Sequence, residues 1–276
     1  MAESSVTTET VTLATGATLP RVGLGVWQAR VGEAKTAVIE AIRQGYRHVD
    51  TACIYQNEGD VGAAIRDCGV PRDQIFVTTK LWNDDQGYDR ALRAADASLQ
   101  RLGLAYVDLY LIHWPVPKRR LESWRALEQL HADGRARAIG VSNFLVPHLE
   151  ELVAASTIKP HVNQIELHPF LQRRDTVALC KQHGIALEAY SPLTRGEKLG
   201  DPTVVAVARE VGRSPAQVLL RWGIQHDLVV LPKSVHAARI AENAALFDFA
   251  LDVAQMARLD ALEANLATGW DPGDQS

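Results

Sequence analysis

Short runs of β-branched and other apolar residues alternate along the chain with longer segments whose apolar positions recur at helical spacing. The β-like runs are Val22 to Trp27, Arg47 to Asp50, Ile75 to Lys80, Val107 to His113, Arg137 to Ser142, His161 to Glu166, Ala186 to Ser191 and Leu228 to Lys233. Between the first two, Ala34, Ala37, Val38, Ala41 and Ile42 fall at i, i+3, i+4, i+7 and i+8, and Gly45 follows as a stop signal. Two later helices open with capping boxes: Ser214-Pro215-Ala216-Gln217, with proline at the first helical position, and Asp252-Val253-Ala254-Gln255. This alternation predicts repeated βα units and a parallel sheet. Eight strands, with no linker rich in Pro, Gly or Ser, predict a single α/β domain over residues 1–276, a (β/α)8 barrel of the TIM type. Upstream, Val11-Thr12-Leu13 and Thr18-Leu19-Pro20, split by Thr15-Gly16, predict an N-terminal β-hairpin placed to plug the barrel's bottom.

Composition narrows the picture only modestly. At 276 residues and 47 % hydrophobic, the chain can bury a large core. Its 29 basic and 33 acidic residues give a net charge of -4, so the global field gives no reason to expect nucleic acid or an anionic membrane as partner. The stretch Met1–Thr8 lacks a basic and an apolar leader region, and no apolar run approaches membrane-spanning length, which predicts a cytoplasmic protein. Cys53, Cys68 and Cys180 are odd in number, far apart and without histidine at metal-ligand spacing, so neither disulfides nor zinc are expected.

Candidate chemistry gathers at the strand ends. Asp50, Lys80 and His113 each close a β-like run, and Tyr55 lies five residues after the first. A parallel barrel brings all four to one mouth. A tyrosine with an unperturbed pKa near 10 needs its proton made more labile by roughly 3 units, on the order of 4 kcal/mol, to donate near neutrality. Lys80 is placed to stabilise the developing phenolate, Asp50 to hold Lys80, and His113 to hydrogen-bond a carbonyl oxygen; no metal is needed. Taken singly, Asp50 and Lys80 read more readily as a structural ion pair, Tyr55 as a loop aromatic and His113 as a core histidine. Together, on three successive strand ends, they point to proton donation to a carbonyl.

Val49-Asp50-Thr51-Ala52-x-x-Tyr55-x-Asn57-Glu58, Thr79-Lys80-Leu81-Trp82 and Leu111-Ile112-His113-Trp114-Pro115 resemble the catalytic segments of the aldo-keto reductases, especially the bacterial 2,5-diketo-D-gluconate reductase-like members. The resemblance continues through Gly23 to Trp27, Ile139 to Phe144, Asn163 to Pro169 and Leu231 to Ser234. It implies that Asp50, Tyr55, Lys80 and His113 form a catalytic tetrad with Tyr55 as general acid, and that the cofactor is NADPH/NADP+. No G-x-G-x-x-G follows a strand, so a Rossmann-type cofactor site is not supported. The resemblance instead assigns Ser142, Asn143, Gln164 and Tyr190 to the nicotinamide and Glu242 and Asn243 to the adenine. Lys233, Ser234 and Arg239 combine cations and a hydroxyl at an expected helix N-terminus, a place suited to the 2′-phosphate of NADPH. After Ser191-Pro192-Leu193, expected to pass over the pyrophosphate, this chain carries Thr194-Arg195-Gly196 where many members of the family carry glycine.

Trp27, Trp82 and Trp114 follow strands one, three and four and predict an aromatic substrate pocket near Tyr55 and His113. Short loops after Lys80 and His113 predict an open pocket for small or extended carbonyl compounds, with Trp270 of the polar tail able to fold over it. The expected activity is NADPH-dependent carbonyl reduction by a monomer. Its rivals are a nicotinamide-binding sensor or regulatory module, and a barrel aldolase using Lys80 or Lys233 as a Schiff base.

Overall fold

The computed structural model describes residues 9–274; the Met1–Thr8 stretch read above for a leader and the last two residues of the tail lie outside them. The chain opens with an antiparallel hairpin, β1 (Thr10–Thr12) and β2 (Thr18–Pro20), in which Val11 faces Leu19. Eight parallel strands follow in chain order around a nearly closed barrel: β3 (Leu24–Gly25), β4 (His48–Asp50), β5 (Phe76–Leu81), β6 (Val107–Ile112), β7 (Ala136–Ser142), β8 (Val162–Glu166), β9 (Ala186–Tyr190) and β10 (Val229–Leu231). Two single parallel bridges, Val22 to Val230 and Gly25 to Lys233, close the seam between β3 and β10.

That seam explains why the first and last strands are shorter than the apolar pattern predicts. A Cβ on Gly23 would lie 2.6 Å from both His48 Nδ1 and Leu231 Cδ2, so the bare backbone there is what lets two neighbouring strands approach. Trp27 already belongs to a turn. At the other edge Pro232 has no N–H to continue the ladder, and pairing resumes only at Lys233.

Around and between the strands run the helices α1 (Glu33–Arg43), α2 (Glu58–Asp67), α3 (Tyr88–Leu102), α4 (Arg120–Ala132), α5 (Val146–Ala155), α6 (Arg174–Gln182), α7 (Pro202–Val211), α8 (Pro215–Gln225), α9 (Ala237–Ala244) and α10 (Val253–Asp260), with short 3₁₀ turns among the loops. The five apolar positions of α1 picked out by their spacing are the five it buries. Both capping boxes form: Ser214 Oγ accepts from Gln217 N at 3.2 Å, and Asp252 Oδ1 from Gln255 N at 2.8 Å. Among the described residues no helix is long and apolar enough to cross a membrane.

Apolar side chains form two bodies. The larger fills the space between strands and helices. In the smaller, Leu13 and Leu19 of the hairpin pack on Phe76, Val162 and Val229, each the first residue of its strand. The hairpin therefore seals the N-terminal end of the barrel, and the C-terminal strand ends are left as the mouth.

Close packing of α2 on the end of α3 depends on Gly62, where a Cβ would lie 1.9 Å from Leu102 O. Alanine normally stabilises a helix interior over glycine by about 0.5–1 kcal/mol. Here the backbone clash should outweigh that gain, and Gly62→Ala is expected to cost about 1–3 kcal/mol. Thermal unfolding should then show a midpoint lower by about 2–4 °C per kcal/mol; an unchanged or higher midpoint would refute the close approach.

Candidate active site

β4, β5 and β6 deliver three charged or polar groups to one end. Asp50 is the last residue of β4, Lys80 lies one residue before the end of β5, and His113 directly follows β6, its N–H donating to Leu81 O at 3.1 Å. Tyr55 ends a single 3₁₀ turn, Cys53–Tyr55. The loop carrying it is fixed from beneath. Thr51 Oγ1 donates to Asn57 Oδ1 at 2.8 Å, and Asn57 Nδ2 donates to Val26 O at 2.9 Å. Glu58, also buried, accepts from Thr79 Oγ1 and Arg101 Nε, both at 2.6 Å. The polar residues around Tyr55 in the sequence are thus the joinery of its loop.

Lys80 is fully buried, and its ammonium donates to Asp50 Oδ1 at 2.7 Å and to Thr51 O at 2.9 Å. Burial would push its pKa down, but Asp50, by charge and by its hydrogen bond, leads the groups that hold it above its ordinary value. A permanently charged amine is a poor Schiff-base nucleophile, which argues against the aldolase reading for Lys80. The ammonium lies 5.1 Å from the centroid of the Tyr55 ring. Burial raises the phenol's pKa and Asp50 adds to this, while Lys80 pulls it back by charge and hydrogen bonding. The net direction is upward, so the expectation of a lowered phenol is met only in Lys80's contribution. In this state desolvation outweighs the cation, and Tyr55 keeps its proton at neutral pH.

His113 packs edge-on against Tyr55 and Trp82, with ring centroids 5.8 and 5.3 Å away. Burial, then the Lys80 charge, holds its pKa well below 6.5, so the imidazole is neutral. Its buried Nδ1 has no hydrogen-bond partner in the described structure.

A second layer lies below the tetrad, and two of its members, His48 and Glu188, were not picked out in the sequence. Gln164 Nε2 donates to Asp50 Oδ2 and to Glu188 Oε2, each at 2.8 Å. His48 Nε2 sits 3.2 Å from Thr78 Oγ1 and 3.6 Å from Glu188 Oε1. Burial and the nearby Asp50 raise the Glu188 carboxyl to about 8, and burial lowers His48 to about 4, so both are neutral near pH 7. The signal was available: His48 precedes Asp50 by two and Glu188 precedes Tyr190 by two, which in a strand means the same face.

The mouth opens into a cavity of about 1170 Å³. Asp50, Tyr55 and His113 line it with Trp27, Trp82 and Trp114; Lys80 lies beneath. Ser142, Asn143, Gln164 and Tyr190 line the next sector, with Ser191 and Leu193 beside them. Several of their polar groups are already spent. Ser142 Oγ donates to Gln164 O at 2.8 Å, Asn143 Nδ2 donates to His113 O at 2.9 Å, and Tyr190 Oη donates to Asn143 Oδ1 at 2.8 Å. Lys233, Arg239, Glu242 and Asn243 line the far end beside the start of α9, joined by Ser214–Ala216 at the start of α8. Lys233 and Arg239 are exposed and make no ion pair among the described residues. Ser234 is not among the lining residues; its hydroxyl is taken up locally with His236.

The mouth is less open than short loops suggested. Arg195 stacks over Trp27, 4.8 Å from its centroid, and Trp270 meets Trp114 edge-on at 5.9 Å. Thr268 donates from its backbone to Glu166 Oε1 at 2.9 Å and also through its hydroxyl, which ties the C-terminal segment to β8. Gln28, Asn143, Ser191 and Arg195, all on the cavity wall, hold positive φ between 48° and 64°. Such backbone is sparsely populated by residues with a side chain and concentrates at functional sites.

The model of the aldo/keto reductase family matches residues 21–264. The chain is 49 % identical over 266 residues to a 9,11-endoperoxide prostaglandin H2 reductase of Trypanosoma cruzi, spanning 95 % of this chain and 94 % of that one. It is 48 % identical over 267 residues to glyoxal reductase of Bacillus subtilis, spanning 96 % and 97 %. A crystal structure of a Bombyx mori aldo-keto reductase in complex with NADP superposes with a TM-score of 0.88 at 39 % identity, covering 94 % of each chain.

Removing one member of a buried ion pair strands the other. Lys80→Met should cost roughly 3–5 kcal/mol of stability. Adding Asp50→Asn, which removes the stranded charge but keeps an acceptor for Gln164, should recover a large part. Denaturant unfolding of both variants checks this; equal destabilisation in the two would show that the charge is not what the barrel interior resists.

Proposed function

The chain belongs to the aldo/keto reductase family, and we propose that it reduces small aldehydes, ketones, dicarbonyls or keto-sugars to alcohols with NADPH, using Tyr55 as the general acid. The carrying observation is the fully buried Lys80 ammonium, held by Asp50, beneath a phenol that keeps its proton at the wall of a large cavity.

The residues present fit a nicotinamide dinucleotide. A cavity of about 1170 Å³ exceeds the usual ≈ 300–1,000 Å³ of a small-ligand pocket and leaves room for a dinucleotide beside a small carbonyl. Two unpaired cations, Lys233 and Arg239, wait where a 2′-phosphate would be recognised, and the Arg fork with the Lys point charge supports NADPH over NADH. Ser142, Asn143, Gln164 and Tyr190 would hold the nicotinamide, Ser191, Leu193 and Arg195 the pyrophosphate region, and Glu242 and Asn243 the adenine. The bound cofactor supplies hydride to the carbonyl carbon.

The chain's own groups do the rest. As negative charge grows on the carbonyl oxygen, Tyr55 Oη gives up its proton, and the phenolate left behind faces Lys80. The cation that is outweighed by desolvation in the resting site is then matched by an anion. Asp50 keeps Lys80 charged throughout. His113, neutral, donates a hydrogen bond that fixes the carbonyl oxygen near Tyr55. Trp27, Trp82 and Trp114 give the substrate an apolar wall and exclude water. All these groups come from one chain folded as one domain, and we read the working unit as a monomer; three free cysteines and a need for NADPH suit the cytoplasm.

Consumption of NADPH with methylglyoxal or glyoxal is the test. Turnover should be faster with NADPH than NADH, and Tyr55→Phe should lose about 10²–10⁴-fold in kcat. Arg239→Ala should narrow the preference for NADPH by raising its KM. NADPH binding without turnover of any carbonyl would instead establish the sensor reading.

The pH profile follows from the two directions already given. Reduction needs Tyr55 protonated, and its pKa is raised from 10.0; His113 is lowered well below 6.5. Activity controlled by these groups should be level between those values and fall only as pH passes the raised phenol value. A break in kcat near pH 7 that disappears in His113→Asn would overturn the neutral imidazole.

A further inference from the structure

Glu188 has no part in the chemistry above, yet it occupies an expensive position. It is fully buried in the middle of β9, where barrel layers are ordinarily filled by branched apolar residues. A carboxyl in such a layer must be compensated by hydrogen bonds. Its Oε2 accepts from Gln164 Nε2, and its Oε1 faces His48 Nε2 at 3.6 Å without a hydrogen bond of its own.

The amide of Gln164 decides what this arrangement does. One of its two hydrogens goes to Glu188 Oε2 and the other to Asp50 Oδ2, both at 2.8 Å. Both donors are therefore spent inside the barrel, and Oε1 is the polar atom left to offer the cavity that Gln164 lines. Turning the amide over would set Oε1 against Asp50 Oδ2, the carboxylate that already holds Lys80. Asp50 thus fixes which way the amide faces, and Glu188 fixes its second hydrogen.

We infer that Glu188 is a positioning residue for the cofactor: together with Asp50 it clamps the Gln164 amide with its oxygen outward, so that the site selects a nicotinamide ring bearing an N–H donor. The inference rests on the NADPH reading given above. Glu188 touches neither cofactor nor substrate; it acts through Gln164. The clamp also links the cofactor floor to the acid catalyst, because Asp50 serves both Gln164 and Lys80.

Calorimetric binding of NADPH, with KM for NADPH and for methylglyoxal, tests this on the full chain. Glu188→Leu should weaken NADPH binding by about tenfold, the scale of one hydrogen bond, and leave KM for the carbonyl unchanged. Glu188→Gln, which can still accept from Gln164 through its own amide oxygen, should restore binding to within about twofold. Gln164→Ala should match Glu188→Leu, and the double variant should be no worse than either single one. Tight binding by Glu188→Leu, or full additivity in the double variant, overturns the clamp. A measurement on the unaltered chain guards against misfolding of the variants: the 3-acetylpyridine analogue of NADP, which lacks the carboxamide N–H, should bind about tenfold more weakly than NADP itself, and equal binding would also overturn the proposal. If the unaltered chain binds neither NADPH nor NADP, it is the NADPH reading that has failed.

Discussion

An ammonium group with no exposure to water, in the middle of a barrel, is the constraint around which this molecule is arranged. Taking such an ion out of solvent costs several kcal/mol even after relaxation, and Lys80 recovers it only because Asp50 and the carbonyl of Thr51 meet it at 2.7 and 2.9 Å. Those partners exist at that spot because β4 and β5 are parallel neighbours, with Asp50 level with Thr78, so that Lys80 reaches across to the acid. The turn after Asp50 must then bring the Thr51 carbonyl inward, and the Thr51, Asn57 and Val26 contacts hold it there. Tyr55 is carried on the same turn. Its place over the cation follows from the requirement to satisfy the cation.

The barrel separates what must be stable from what must be reactive. Its N-terminal end is closed by Leu13 and Leu19 of the hairpin, packed on the first residues of the strands. At the opposite end the backbone takes up positive φ at Gln28, Asn143, Ser191 and Arg195, and the His113 imidazole sits buried in uncharged form. These are local costs, and the apolar layers between strands and helices offset them. The same division explains the tie between Thr268 and Glu166, which holds a segment near the mouth without adding to the core.

The sequence made much of this legible, and the reasons are specific. Eight apolar runs with helical spacing between them fit a closed parallel barrel, and a polar residue at the end of such a run has one mouth to point into, which is how Asp50, Lys80 and His113 could be found. Strand limits were less legible, because the end of β10 is set by a proline and the extent of β3 by the close approach at Gly23. Ser234 looked like a phosphate ligand from its neighbours, but its hydroxyl closes a turn with His236. Glu188 and His48 escaped because a polar residue inside an apolar run reads as noise until its same-face partner two residues on is considered. The direction of the Tyr55 shift was hidden for another reason: a sequence names the neighbouring charge but gives no measure of how much water surrounds the phenol.

Four of the six tryptophans in the chain, Trp27, Trp82, Trp114 and Trp270, line one cavity, while Trp124 and Trp222 lie buried among the helices. Indole emission overlaps the absorption band of a reduced nicotinamide, so the walls of this pocket form an unlabelled optical reporter. Its light is weighted toward the place where a ligand would sit, and Trp270, largely exposed against Trp114, would shift in colour as solvent leaves it. Occupancy and closure of the site can therefore be followed as two separate spectral changes, quenching and blue shift, in the unmodified protein.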